Sequence, residues 1–193
     1  MRRTIAFLLS SLVLTSCVLS ATAAELPRKA TDFAVQTAPE KYIWLSEHEG
    51  KTVVLAFILT TCPHCQFTTG ILNKLEKEYA PKGVIFLESA IEPMSSLHIP
   101  DFKKQMGVTF PVGYNEQGYA SKFLGGGEND PMLMPQLVII DGKGMIRSQF
   151  SGDDPGFARP VQEATIREAI ENAMKGTAPR KVMKPAPAAP ASK

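Results

Sequence analysis

Of the three cysteines in this 193-residue chain, only Cys62 and Cys65 are close in sequence, in the run Cys62-Pro63-His64-Cys65. Three chemistries suit such a pair. A structural disulfide is the weakest, because closing a four-residue loop stabilises by about 2 kcal/mol in the chain-entropy picture, against about 5 for a long loop. Metal binding is the second. Zinc takes four ligands, often two such pairs, and there is no second pair here. His48, His64 and His98 are scattered and form no His-x-x-x-His spacing. Two sulfurs and an imidazole would suit copper, but the pattern assigns no metal site and no cofactor. Reversible dithiol chemistry is the third reading, and the surrounding elements favour it.

Residues 53–59, Val-Val-Leu-Ala-Phe-Ile-Leu, form a continuous apolar run rich in β-branched side chains. That is the pattern of a strand buried on both faces. A helical pattern begins directly after the motif: Phe67, Ile71, Leu75 and Tyr79 recur every four residues, Leu72 widens the face, and Pro81 and Gly83 end it. Cys62 is therefore expected at a helix N-terminus, where free N–H groups and the helix dipole favour a sulfur anion, the nucleophilic form. Pro63 suits the first helical turn. Cys65 is one turn on, within reach and turned inward, placed to attack a mixed disulfide formed on Cys62. His64, when protonated, adds positive charge near the sulfur.

Residues 84–87 read as a second buried strand, so strand, helix and strand make a βαβ unit with a parallel pair. A short helix is expected over 101–106, bounded by Pro100 and Gly107, and another over 116–124. Residues 137–140 form a third strand, and Asp141-Gly142-Lys143-Gly144 a hairpin turn into a return strand from Met145. Pro160 precedes a final helix with Ile166, Ala169, Ile170, Ala173 and Met174 on one face.

Charge and composition exclude other classes. Of 21 Lys and Arg, two lie near the N-terminus (Arg2, Arg3) and four beyond residue 175. That leaves 15 against 19 acids over residues 24–175, a mildly acidic body that argues against nucleic-acid binding. The glycine-rich stretch 125–130 lacks the Gly-Lys-Ser/Thr ending of a phosphate loop.

The first 23 residues read as a secretory signal: a short basic start, an apolar stretch over 5–14, then the small-x-small run Ala21-Thr22-Ala23. Leu14-Thr15-Ser16-Cys17 is a competing lipobox that would anchor the chain through Cys17. Either reading places the protein outside the cytoplasm, in a bacterial periplasm, where disulfides persist. Residues 24–31 are expected to be a lead-in, 32–176 the globular domain, and the Pro-, Ala- and Lys-rich residues 177–193 a disordered tail.

With these residues set out, the chain resembles the thioredoxin superfamily, most closely the extracytoplasmic TlpA/ResA-like branch, whose domains are also called redoxin or thiol-specific antioxidant domains. The matching stretches are Thr31-Asp32-Phe33, residues 50–57, the Cys62–Cys65 motif, Phe110-Pro111-Val112 and residues 134–144. The resemblance implies a three-layer α/β/α sandwich around a central mixed sheet. It also implies a thiol–disulfide oxidoreductase, with Cys62 attacking and Cys65 resolving. Pro135 matches the family's cis-proline beside the disulfide, and Met134 would flank the sulfurs. Implied partners are the thiols and disulfides of exported proteins and a membrane or periplasmic electron donor or acceptor, with the protein itself a monomer.

The Pro63-His64 dipeptide is that of the strongly oxidising DsbA-like enzymes. Relatives commonly carry a buried acid six residues before the first cysteine, or in some ResA-like proteins three after the second, as proton acceptor. These positions are Ala56 and Thr68 here. Glu88 is the candidate substitute, against the plainer expectation of a solvated carboxylate at a strand end. Two other functions compete: a peroxiredoxin-type peroxidase, although Leu59 stands where that group carries Thr, and a non-enzymatic copper-handling module.

Overall fold

The computed structural model describes residues 25–176. The expected leader, Cys17 within it and the tail from 177 lie outside the described residues. In chain order the elements are β1 (Arg28–Lys29), β2 (Ala34–Ala38), β3 (Lys41–Trp44), β4 (Val53–Ile58), α1 (Pro63–Tyr79), β5 (Ile85–Ala90), α2 (Ser95–Met106), β6 (Val112–Tyr114), α3 (Gln117–Phe123), β7 (Gln136–Ile140), β8 (Met145–Phe150) and α4 (Gln162–Met174).

The strands form one mixed sheet in the order β1-β8-β7-β4-β5-β6-β2-β3. β4 pairs in parallel with β5, and β5 with β6; the other neighbours are antiparallel. The apolar run at β4 is continuous because both faces are covered. Val54, Ala56 and Ile58 point into one core with the buried faces of α1, α2 and α4. Val53, Leu55 and Phe57 point into the other, with Ala120 and Phe123 of α3. This is the three-layer thioredoxin-like arrangement. In the second core Phe33 stacks on Tyr119 at 4.6 Å and meets Phe57 edge-on at 5.4 Å, which fastens α3 under the sheet.

Several local expectations differ from the structure. The lead-in contributes a strand: Arg28 and Lys29 pair with Ile146 and Met145 at the sheet edge. The β2–β3 hairpin, which the sequence reading did not select, closes the opposite edge with Tyr42 and Trp44 exposed on either side of half-buried Ile43. The helix expected from residue 101 starts at Ser95 and contains Pro100. Proline there removes one helical N–H, but the buried Ile99 and Phe102 anchor the segment on both sides of it. Phe67 and Met174, expected on buried faces, are exposed; Phe67 instead lies under the Arg159 guanidinium at 5.0 Å. The buried stripe of α1 is Cys65, Thr68, Thr69, Ile71, Leu72, Leu75 and Tyr79.

Candidate active site

Helix α1 begins one residue beyond the first cysteine. Cys62 is its N-cap, with extended backbone (φ −77°, ψ 121°), and Pro63 takes the first helical position, where a missing N–H leaves nothing unpaired. An N-cap side chain ordinarily offers oxygen to the first free N–H groups. Here the Cys62 sulfur does so, accepting the N–H of Cys65 at 3.4 Å. Cys62 is half-buried, Cys65 fully buried, and both are free thiols. The Leu59 N–H points at the Cys65 sulfur at 3.4 Å. Burial pushes the Cys65 thiol far above its usual range, the Leu59 N–H offsets part of this, and Cys62 and Glu88 add to the rise.

The approach to the motif is pinned from two sides. The Gln66 amide donates to the Thr60 carbonyl at 2.9 Å. The Thr60 N–H donates to Glu92 Oε1 at 2.8 Å, and the Thr60 hydroxyl makes a short bond to the same oxygen. The His64 ring packs toward Phe157, 6.0 Å between centroids, with its Nε2 buried and without a hydrogen-bond partner among the described residues. Thr68 donates to the His64 carbonyl at 2.9 Å and accepts from the buried Gln162 amide at 2.8 Å. The first turn of α1 is thereby tied to the start of α4.

Pro135 enters from the other side of β4. Phe57 pairs with Gln136, so Pro135, just before β7, lies at the level where β4 ends and the motif begins. The Met134–Pro135 peptide is cis. Met134 and Cys62 are both half-buried at the rim of the core that contains Cys65. The loop before Pro135 rests on Gly152. Gly152 N–H donates to the Leu133 carbonyl at 3.0 Å, and a Cβ on Gly152 would fall 2.2 Å from the Met134 carbonyl oxygen.

Glu88 overturns the expectation of a solvated strand end. It is the fourth residue of β5, fully buried, and pairs across the sheet with Ala56. A carboxyl therefore stands one strand over from the position where relatives carry theirs. Thr69 Oγ1 lies 2.8 Å from Glu88 Oε1 and 3.0 Å from the Cys65 carbonyl oxygen. Glu88 Oε2 has no partner among the described residues. Burial raises this carboxyl, the Thr69 contact pulls it partly back, and it is held at about 8.

The structure thus brings together Cys62, Cys65, Pro63, His64, Met134, Pro135 and Glu88. It adds Thr69, Glu92, Gln66 and Gly152, which the sequence reading did not select. Thr69 had a signal, four residues after Cys65 on the buried stripe. Gly152 had a weaker one, a glycine in the turn Ser151-Gly152-Asp153-Asp154. Glu92 had none, because its partner Thr60 is 32 residues away. Among the described residues no cluster of three His, Cys, Asp or Glu side chains is placed to hold a metal ion.

A capping sulfur, a second sulfur buried one turn below it and a proline at the facing strand are what dithiol exchange needs, and with this fold they define a thioredoxin-like thiol–disulfide oxidoreductase. Comparison with known proteins refines the class. The Redoxin family model matches residues 26–169, and the chain belongs to that family. It is 28% identical over 121 residues to the thioredoxin-like protein YneN of Bacillus subtilis, covering 62% of this chain and 68% of that one. It is 27% identical over 129 residues to the thiol-disulfide oxidoreductase ResA of Bacillus cereus, covering 67% and 71%. A solved thiol:disulfide interchange protein of the thioredoxin family from Chlorobium tepidum shares the fold, with a TM-score of 0.62 at 20% identity over 78% of this chain and 99% of that one.

Proposed function

We propose that the protein exchanges its Cys62–Cys65 dithiol and disulfide with the thiols and disulfides of exported proteins, through a mixed disulfide on Cys62. The observation that carries this is the unequal burial of two sulfurs one helical turn apart: Cys62 half-exposed at the cap, Cys65 wholly covered. A partner's sulfur reaches Cys62 only. In the reducing direction the Cys62 thiolate attacks a substrate disulfide and one substrate sulfur leaves. The Cys65 thiolate then attacks Cys62, the internal disulfide forms and the second substrate sulfur leaves. The oxidising direction is the reverse. Pro135 lacks an N–H, so the strand end beside Cys62 presents carbonyls to an extended substrate segment, and Met134 borders that segment.

Export is supported by the sequence of residues 1–23 and by resemblance to ResA-like proteins. We assign the protein to the periplasm, with the tail from 177 outside the catalytic domain. Cys62→Ser is expected to abolish reduction of insulin by the dithiothreitol-charged protein, and Cys65→Ser to accumulate a mixed disulfide on Cys62. Full insulin reduction by the Cys62→Ser protein overturns the reading. Peroxide consumption without thiol exchange would favour the peroxidase alternative.

A further inference from the structure

We propose that Glu92 is a positioning residue for the exchange: by holding Thr60 it keeps the backbone N–H of Leu59 aimed at the Cys65 sulfur, and that N–H receives the negative charge formed there when the Cys62–Cys65 disulfide opens. This rests on the exchange reading above.

Two consecutive peptide units carry the argument. The antiparallel ladder between β4 and β7 ends at Phe57 and Gln136, so the backbone of Leu59 lies beyond it. Its N–H points at Cys65 Sγ at 3.4 Å, and its carbonyl accepts the N–H of Cys62 at 3.1 Å. Both polar groups of Leu59 therefore go to the two cysteines. The far ends of the same peptide units go to the end of β5. The Ile58 carbonyl, joined to the Leu59 N–H, accepts the Ile91 N–H at 3.1 Å. The Thr60 N–H, joined to the Leu59 carbonyl, donates to Glu92 Oε1 at 2.8 Å. Each unit is a rigid plane, so fixing one end aims the other.

Thr60 is the point at which Glu92 acts. Its N–H and hydroxyl both donate to Glu92 Oε1, and its carbonyl accepts from the Gln66 amide at 2.9 Å. Every polar group of this buried residue is thereby taken. Glu92 Oε2 has no partner among the described residues, so the hydrogen bonding of this half-buried carboxyl is directed at Thr60. The bonds also reinforce one another, since neighbouring hydrogen bonds polarise the peptide between them. The Ile91 N–H on the Ile58 carbonyl makes the Leu59 N–H a stronger donor. The Glu92 carboxyl on the Thr60 N–H makes the Leu59 carbonyl a stronger acceptor for Cys62.

The chemistry needs a donor at that sulfur. A substrate thiolate attacks Cys62 Sγ and forms the mixed disulfide. The Cys62–Cys65 bond breaks and its electron pair goes to Cys65 Sγ. Burial disfavours an anion there, and the Leu59 N–H is the group that opposes burial. A hydrogen bond to a charged atom is stronger than one to a neutral atom, so the contact tightens as the charge forms. A donor already aimed at the developing charge needs no rearrangement at that moment. The anion then takes a proton from water. In the resolving direction the Cys65 thiol gives its proton to water, the thiolate attacks Cys62 Sγ, and the substrate sulfur leaves with the bonding pair.

The test separates the two sulfurs in the full reduced protein with Ellman's reagent, followed by stopped-flow absorbance. The first release of thionitrobenzoate scales with reagent concentration and reports attack by Cys62. The second is independent of it and reports attack by Cys65 on the mixed disulfide. Glu92→Ala is expected to slow the second release roughly 5-fold at pH 7, because losing a hydrogen bond to a charged sulfur lowers the thiolate fraction more than the gain in nucleophilicity restores it. The first release is expected to stay at the parent's rate, because the Cys62 sulfur is held by the Cys65 N–H inside α1. Glu92→Gln keeps an acceptor oxygen for Thr60 and is expected to restore the second release. A second release at the parent's rate in Glu92→Ala overturns the proposal and leaves the exchange reading intact. Equal slowing of both releases does the same, since it marks a merely structural role. A parent that gives only the first release overturns both. Should Glu92→Ala not fold, the Leu59 amide proton of the reduced parent decides by NMR: slow hydrogen exchange is expected, and exchange at the rate of an open amide overturns the proposal.

Discussion

Two buried carboxyls, at different ends of the sheet, show how one chemical group serves two purposes. Asp141 closes the β7–β8 turn, away from the motif. Burial pushes it up, but the N–H groups of Met145 and Lys143 and the Arg147 guanidinium, 2.6 Å away, outweigh that and hold it below the usual carboxylate range. Glu88, one strand from the dithiol, has a single hydroxyl and no cation, and is held at about 8. Asp141 is a locked anion that fixes a turn. Glu88 is a carboxyl that burial pushes toward its neutral form, with Thr69 as its hydrogen-bond partner. The difference lies in the partners each backbone supplies, since both side chains are buried.

Opposite pH signatures should follow. The folded value of Glu88 lies above its unfolded value. Between about 4.5 and 8 the folded protein therefore binds the extra proton, and stability falls as pH rises, by up to about 5 kcal/mol at 1.4 kcal/mol per unit. Glu88→Gln is expected to flatten that slope in urea titrations; an unchanged slope would mean that Glu88 takes up no extra proton on folding. Asp141 has the reverse sign. Its contribution is present above its unfolded value near 3.8 and is lost as pH falls through the depressed folded value. Asp141→Asn leaves the largely buried Arg147 without its anion and is expected to cost about 3 kcal/mol at neutral pH, with no change in the pH profile of disulfide opening.

A smaller effect sharpens the contrast from the site side. Gly152→Ala must displace the Met134 carbonyl, at a cost of about 1–3 kcal/mol for overpacking. Because the displaced backbone leads into Pro135, exchange with a peptide disulfide should slow more than the stability loss implies. Equal exchange rates would remove Gly152 from the site.

The sequence made the site legible where chemistry is local. Cys62, Pro63, His64 and Cys65 follow one another between an apolar run and a helical repeat, so their place at a strand-to-helix junction could be read directly. Pro135 was recognised only through resemblance, because nothing local marks a proline before a strand as cis. Glu88 was named but misplaced: its burial depends on pairing with Ala56, 32 residues earlier, and on Thr69 closing over it. The β2–β3 hairpin and the edge strand β1 escaped for a related reason. β1 and β3 are the two edge strands, only two and four residues long and largely exposed, so neither carries the apolar run of a buried strand.

The central claim is that one sulfur of the pair meets partners while the other waits beneath it. Brief iodoacetamide labelling of the reduced protein at pH 7, with the site of each adduct located by peptide mass spectrometry, tests it most directly. Labelling confined to Cys62, with Cys65 modified only after unfolding, is the expected result. Equal labelling of the two, or labelling of Cys65 first, would contradict the account.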